Sequence, residues 1–351
     1  MARLRRVDCA GPGITRRRRG RGWEYLGEDG RKIEDPEVVA RIQALAVPPA
    51  WKDVWICAQP MGHIQATGTD AAGRKQYRYH DRWRERRDAE KFESMVQFAR
   101  ALPDLRERVR RDLTGEELGR ERILACATRL LDRGFFRVGS EGYAEENETY
   151  GLATIRKTHV TVDGSAMHFD YSAKGNKRRV QRVNDPEIAE IVRTLKRRRG
   201  GGDELLAYKR GRRWVDVKSA DVNEYLKEAT GGDFSAKDFR TWNATVLAAL
   251  ALAPTAEAAR ASKTARKRAI KRAIDEVARY LGNTPAVCRA SYIDPRVFDR
   301  FDGGLTIAGV LPELVDPDTD WPEIQPAVEE GVLDLIAKDV DSPAVVDEAA
   351  A

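Results

Sequence analysis

Residues 152–183 read LATIRKTHVTVDGSAMHFDYSAKGNKRRVQRV. Three strand-like runs stand out, LATIRKTHVTV, AMHFDYSA and RRVQRV, separated by turn signals at Asp163-Gly164 and at KGNK. On both sides of them the pattern is helical. Upstream, Thr114 and Glu117 form a capping-box pattern. Ile123, Leu124, Ala127, Leu130 and Leu131 then mark an apolar stripe, and Gly134 ends the helix. Downstream, helices are predicted over roughly 185–199, 219–229, 236–253 and 256–281, the third opening on a Ser235/Asp238 cap. A small antiparallel sheet within a mainly helical unit is an α+β arrangement.

Residues 1–80 read as a second, strand-rich unit. WEYLGEDGRKIED has a hairpin look about Asp29-Gly30, and DVWICAQ, HIQATGTD and RKQYRYH are strand-like. In the last of these, Lys75, Tyr77 and Tyr79 share one face, and Gln76 and Arg78 the other. DRWRERRDAEKFESMVQFARAL follows as a helix that Pro103 closes. The expected domains are residues 1–100, 101–312 and an acidic tail, 313–351, in which AVEEGVLDLIAK is a candidate helix.

Charged residues make up 34% of the 351, and the net charge is +6. Residues 313–351 hold twelve acids and one base, which leaves 61 bases and 44 acids, a net +17, in residues 1–312. A body this basic points to a polyanion such as nucleic acid, with which the acidic tail would compete for the body. The longest apolar run, VLAALALA at 246–253, is far too short to span a membrane. The basic run Arg16–Arg19 reads as a phosphate-binding arm or a solvated tail. Four cysteines without close pairing suit a reduced cytosol. No phosphate-binding glycine loop or dinucleotide fingerprint is present, and histidines and cysteines never reach zinc-ligand spacing. DPDTDW at 316–321 opens like a calcium loop but lacks its glycine and its closing glutamate, and reads as an acidic linker.

The remaining chemistry must come from side chains. Arg137 follows a helix stop and two aromatics, so its stem packs while its guanidinium faces out; pairing with Glu145 or Glu146 is the structural alternative. Lys174 sits at a hairpin tip, from which a lysine can reach a ligand. Arg240 lies near the start of a helix, where unsatisfied N–H groups and the dipole favour phosphate; a core salt bridge is the alternative. In LGNTPAVCRASYIDP, residues 281–295, Gly282 ends one helix, Thr284 caps the next and Pro285 fits its first turn, which leaves Tyr292 near the end of a short helix.

In order and context these pieces resemble the type IB DNA topoisomerases, in particular the compact poxvirus-like and bacterial members. FFRVGSEGY…ENETYGL is similar to the family's first-arginine motif, YSAKGNK to its lysine hairpin, KDFRTWNAT to its second-arginine helix, and GNTPAVCRASYI to its tyrosine segment. GRKQYRYH resembles the strand with which the small domain grips DNA. The likeness spans residues 20–300. Two positions depart from the pattern: Ala173 replaces a glycine of the lysine hairpin, and Asn283 stands where viral and eukaryotic members carry histidine.

The resemblance implies a β-rich domain and a helical catalytic domain clamping duplex DNA. It assigns catalysis to Arg137, Lys174, Arg240, Asn283 and Tyr292. Tyr292 would attack a phosphodiester, Arg137, Arg240 and Asn283 would hold its non-bridging oxygens, and Lys174 would protonate the leaving 5′ oxygen. Arg74, Gln76, Tyr77, Tyr79 and Tyr143 would contact DNA. The expected setting is the cytosol, at the nucleoid, with double-stranded DNA as partner, a monomer on DNA, no cofactor, no ATP and no required metal. Tyrosine recombinases, which share the catalytic architecture, are the nearest alternative; they usually carry His-x-x-Arg where this chain has Asp238-Phe239-Arg240. A DNA-binding protein that has lost catalysis is the more distant alternative.

Overall fold

The structure is a computed structural model that describes residues 3–115, 117–255, 262–314 and 321–347. The chain divides into two compact units, residues 1–92 and 93–351.

In the first unit, β1 (Ile14–Arg19), β2 (Gly22–Leu26), β3 (Lys52–Ile56), β4 (Ile64–Thr69) and β5 (Lys75–Tyr79) form an antiparallel sheet of order β2-β1-β3-β4-β5. Helix α1 (Pro36–Ala44) starts where Asp35 accepts from the Glu37 and Val38 N–H groups, as a capping carboxylate should. Ile42 on this helix packs with Ile14, Val54, Ile56 and Ala66 of the sheet. The basic run Arg16–Arg19 is thus a strand rather than an arm. Arg16 lies over the Trp23 ring and donates to the Val47, Pro48 and Trp51 carbonyls, while Arg17 and Arg19 pair with Glu24. The β1–β2 hairpin turns at Gly20, with Arg19 opposite Gly22. The expected Asp29-Gly30 turn is present and is closed by a single bridge between Leu26 and Lys32.

Helix α2 (Asp81–Leu113) runs straight through Pro103. A proline inside a helix costs about 3 kcal/mol. Leu105, Val109 and Leu113, all buried, each return about 1.5–3 kcal/mol on leaving water, so continuing the helix wins. Thr114 closes this helix by donating to the Arg111 carbonyl, and α3 (Arg120–Gly134) begins at Gly119 without a side-chain cap. The anticipated Thr114/Glu117 capping box does not form. At its other end Phe135, not Gly134, takes the left-handed conformation, with φ 55°. Gly134 serves a different need: a Cβ there would lie 2.2 Å from the Phe136 ring.

Helix α4 (Glu141–Asn147) precedes two 3-10 turns, Leu152–Thr154 and Lys157–His159. Where LATIRKTHVTV was expected to be one strand, only β6 (Val160–Asp163) is extended. Leu152, Ala153 and Ile155 are all buried, so the segment lacks the alternation of a strand with one face in water. β6, β7 (Ala166–Ala173) and β8 (Lys177–Asn184) form the predicted antiparallel sheet. Then come α5 (Pro186–Arg197), the hairpin β9 (Ala207–Arg210) and β10 (Arg213–Asp216), α6 (Ser219–Thr230), α7 (Ala236–Leu252) and α8 (Lys263–Leu281). Trp242 and Phe239 of α7 are buried, with Phe239 edge-on to Phe98 at 4.9 Å.

Short helices α9 (Pro285–Ser291), α10 (Pro295–Asp302) and α11 (Leu311–Leu314) lead to α12 (Trp321–Ala337). Val328, Val332, Leu335 and Ile336 of α12 are buried, and Arg300 of α10 donates to the Leu335 and Ile336 carbonyls. Strand β11 (Leu305–Thr306) pairs with β12 (Val346–Asp347). Over 321–347 the acidic segment is therefore part of the second unit's packing. Residues 316–320 of the calcium-loop look-alike, and residues 256–261 of the last helix predicted before Gly282, lie outside the described residues.

Candidate active site

Arg137 stands on a loop that lies close against a second one. The Leu152 and Ala153 N–H groups donate to the Arg137 and Val138 carbonyls at 2.7 and 2.8 Å. A Cβ on Gly151 would come within 2.4 Å of the Gly139 backbone nitrogen, and Gly139 has φ +86°. Only glycine tolerates both demands. Arg137 donates to Asn283 Oδ1, and no ion pair to Glu145 or Glu146 occurs among the described residues.

Arg240 rides α7, whose start is fixed by Asp238 accepting from the Ser235 N–H and hydroxyl. It is only 4% exposed. Its guanidinium donates to the Phe135 carbonyl at 2.7 Å and to the Leu281 carbonyl at 2.9 Å, and its Nε has no partner. Instead of the core salt bridge, its partners among the described residues are these two carbonyls and the Tyr292 side chain. Burial, and then the charge of Arg137, pull its pKa down to about 10.

Asn283 follows Gly282, which ends α8 in the left-handed conformation at φ 64°, and its N–H bonds back to the Ala278 carbonyl at 3.0 Å. Its Nδ2 is buried without a partner. Thr284 and Pro285 then start α9 as expected. Tyr292 is the residue that ends α9, its N–H on the Cys288 carbonyl at 3.0 Å. The Arg240 guanidinium carbon stands 5.4 Å from its ring centroid. Lys174 is exposed at the β7–β8 tip, where Gly175 and Asn176 both take positive φ.

Arg137, Lys174, Arg240 and Tyr292 line one cavity of about 270 Å³, and Asn283 joins them through Arg137. All five candidates thus meet, across 156 residues of chain. The result is a positive pocket whose buried donors face each other more than any acid, which suits an anion.

The DNA-contact candidates divide. In the first unit Tyr77 and Tyr79 are exposed and stacked, with ring centroids 6.0 Å apart, and Lys75 lies over the Tyr77 ring. Arg74 and Gln76 instead both donate to Asp70, at 3.0 and 2.9 Å. The alternating face of β5 separates Gln76 from the tyrosines. The side chain of Tyr143 lies outside the described residues.

Three site features escaped the sequence reading. Lys237 lines the cavity one turn before Arg240. Thr245, fully buried, donates to the Thr241 carbonyl and accepts from the Asp294 N–H at 3.1 Å, which anchors the chain just after Tyr292. Arg179 donates to the carbonyls of Arg279 and Tyr280. Lys237 was visible in principle from its helical spacing; the other two depend on tertiary packing.

The mainly helical unit thus gathers a tyrosine, two arginines and an exposed lysine around one cavity. Residues 80–301 match the family described as eukaryotic DNA topoisomerase I, catalytic core, and residues 22–70 match bacterial DNA topoisomerase IB, N-terminal domain. The DNA topoisomerase 1B of Acanthamoeba polyphaga mimivirus is 30% identical over 287 residues, covering 80% of this chain and 85% of that one. DNA topoisomerase 1 of Candidozyma auris is 32% identical over 164 residues, 45% of this chain and 20% of the relative. That of Schizosaccharomyces pombe is 31% identical over 160 residues, 45% and 19%. The chain therefore belongs to the type IB DNA topoisomerase family and is an enzyme of that family. No helix among the described residues is long and apolar enough to cross a membrane.

Proposed function

We propose that the protein relaxes positive and negative supercoils in duplex DNA by transient nicking. The Tyr292 oxygen bonds to the phosphorus of one strand as the bond to the 5′ oxygen breaks, giving a 3′-phosphotyrosyl link and a free 5′ hydroxyl. The phenol loses its proton in this step, eased by neighbouring cations, and the Lys174 ammonium gives one to the departing 5′ oxygen. Arg137, Arg240 and the free Asn283 Nδ2 hold the non-bridging oxygens, where negative charge grows in the transition state. The free end swivels, then its hydroxyl attacks phosphorus and expels the tyrosine. The phosphodiester energy is conserved throughout, so the cycle runs without ATP, and guanidinium groups serve where a metal would otherwise be required.

The observation that carries this reading is Arg240: buried, without a carboxylate partner among the described residues, and set over the ring of Tyr292 in the cavity that Arg137 and Lys174 also line. Asn283, which cannot carry charge, supplies one cation fewer than histidine would. Both units grip the same duplex, the first through Tyr77 and Tyr79, with the chain acting as a monomer at the nucleoid. The domains are a DNA-gripping unit and a transesterase unit, the latter including the described part of the acidic segment.

The test is relaxation of supercoiled plasmid in EDTA without ATP, with denaturant trapping of the adduct. Wild-type protein should relax both signs and form the adduct, and Tyr292→Phe should bind duplex but form none. Activity lost in EDTA and restored by magnesium would sink the side-chain mechanism, and an adduct surviving Tyr292→Phe would move the nucleophile elsewhere.

A further inference from the structure

Two backbone carbonyls at the end of α8 are taken by one side chain from the hairpin that carries Lys174. Arg179 lies on β8, opposite Tyr171 in the ladder. Its Nη1 donates to the Arg279 carbonyl at 3.2 Å and its Nη2 to the Tyr280 carbonyl. A Cβ on Gly282 would stand 3.2 Å from the same Nη1, so the guanidinium lies against the left-handed turn that swings Asn283 out of the helix. Arg179 forms no ion pair among the described residues, and burial lowers its pKa.

A helix C-terminus exposes carbonyls that lack intrahelical partners and carries partial negative charge. A planar guanidinium can take two such carbonyls at once, which an ammonium cannot match. Arg137 meanwhile fixes the far side of the same residue by donating to Asn283 Oδ1. The helix end just before Asn283 and the Asn283 side chain are thus held by different arginines, and the buried Nδ2 is left without a partner.

We propose that Arg179 is a positioning residue for the transesterification, acting through Asn283: it locks the last turn of α8 to the lysine hairpin and so aims the Asn283 amide at the phosphate. This rests on the reading of the cavity as the transesterification site. Arg179 itself touches no reacting atom. Its loss lets the last turn of α8 fray, and a displacement of the order of 1 Å at a reacting centre can cost about a hundredfold in rate.

The test is a double-mutant cycle on single-turnover cleavage with Arg179→Ala, Asn283→Ala and the pair, alongside thermal melting and duplex affinity measured in a Tyr292→Phe background. Arg179→Ala should slow cleavage about 10- to 100-fold while affinity stays put. In the Asn283→Ala background the same change should cost little more, because residues acting as one unit are not additive. Should Arg179→Ala not fold, Arg179→Lys, which keeps charge and stem without the fork, enters the same cycle with a smaller loss expected. Multiplicative losses in an active parent, or full activity of the single variant, overturn this inference alone. A parent that forms no adduct overturns the site reading and this inference with it.

Discussion

Arg106 and Arg240 are two largely buried arginines of the same unit, satisfied in opposite ways. Arg106 forks onto two carboxylates, Asp132 at 2.8 and 3.0 Å and Glu329 at 2.7 and 2.8 Å. Burial works against its charge, yet Glu329 and Asp132 outweigh it and raise its pKa above the ordinary arginine value. Arg240 has two neutral carbonyls and another arginine nearby, and its pKa falls. A buried cation with its full complement of acids joins parts of the fold. On the proposed function, one left short of negative charge is completed by the phosphodiester that arrives.

The largest test of this contrast removes the Arg106 side wholesale. A stop after Leu311 deletes α12 with Glu329, Val328, Val332, Leu335 and Ile336. Each buried apolar side chain is worth about 1.5–3 kcal/mol, and a domain's entire stability is about 5–15 kcal/mol. The truncated protein should lose its cooperative thermal melt by circular dichroism. A parent-like melt, with DNA affinity raised at low salt, would restore the segment to the role of a competing acidic tail.

Next in size, Arg240→Ala should slow single-turnover cleavage by about a hundred- to a thousand-fold, the range for one transition-state donor. Its melting temperature should move little, because lost bonds to the Phe135 and Leu281 carbonyls are offset by relief of an unpaired buried charge. A melt shifted as far as that of the truncation would make Arg240 a structural residue like Arg106.

Glu329→Gln should do the reverse. Arg106 keeps Asp132, so the loss should be about 1–3 kcal/mol of stability in a denaturant titration, with the cleavage rate unchanged. A slowed cleavage step would show that the two arginines are coupled.

The smallest effect belongs to Glu90→Gln, which removes the exposed pairing with Arg86 and Arg87. Surface ion pairs contribute little, so the melt should be indistinguishable from the parent's. A clear drop would mean that carboxylate partners matter irrespective of burial, and the contrast between Arg106 and Arg240 would lose its basis.

What could be read from the chain alone follows from the range of the forces. The Gly282-Thr284-Pro285 boundary, the β7–β8 hairpin and the Ser235/Asp238 cap were legible because each obeys a rule acting within a few residues. The five candidate residues were picked out through a family likeness whose motifs are themselves local. Pro103 was misjudged because the helix through it is held by Leu105, Val109 and Leu113 against the rest of the unit. Phe135 took the turn assigned to Gly134 because the Phe136 ring crowds the glycine. Arg179 and Glu329 were invisible for the same reason: their partners lie 100 and 223 residues away.

The Arg106–Glu329 pairing also sets a clock on the making of the protein. Ribosomes add about 5–20 residues per second. The 223 residues between the two partners therefore take roughly 10–45 s to follow Arg106 out. Throughout that interval Arg137, Lys174, Arg240 and Tyr292 emerge before the helix that completes their unit's core. A nascent or prematurely stopped chain thus carries all four cavity residues without a settled scaffold to hold them together.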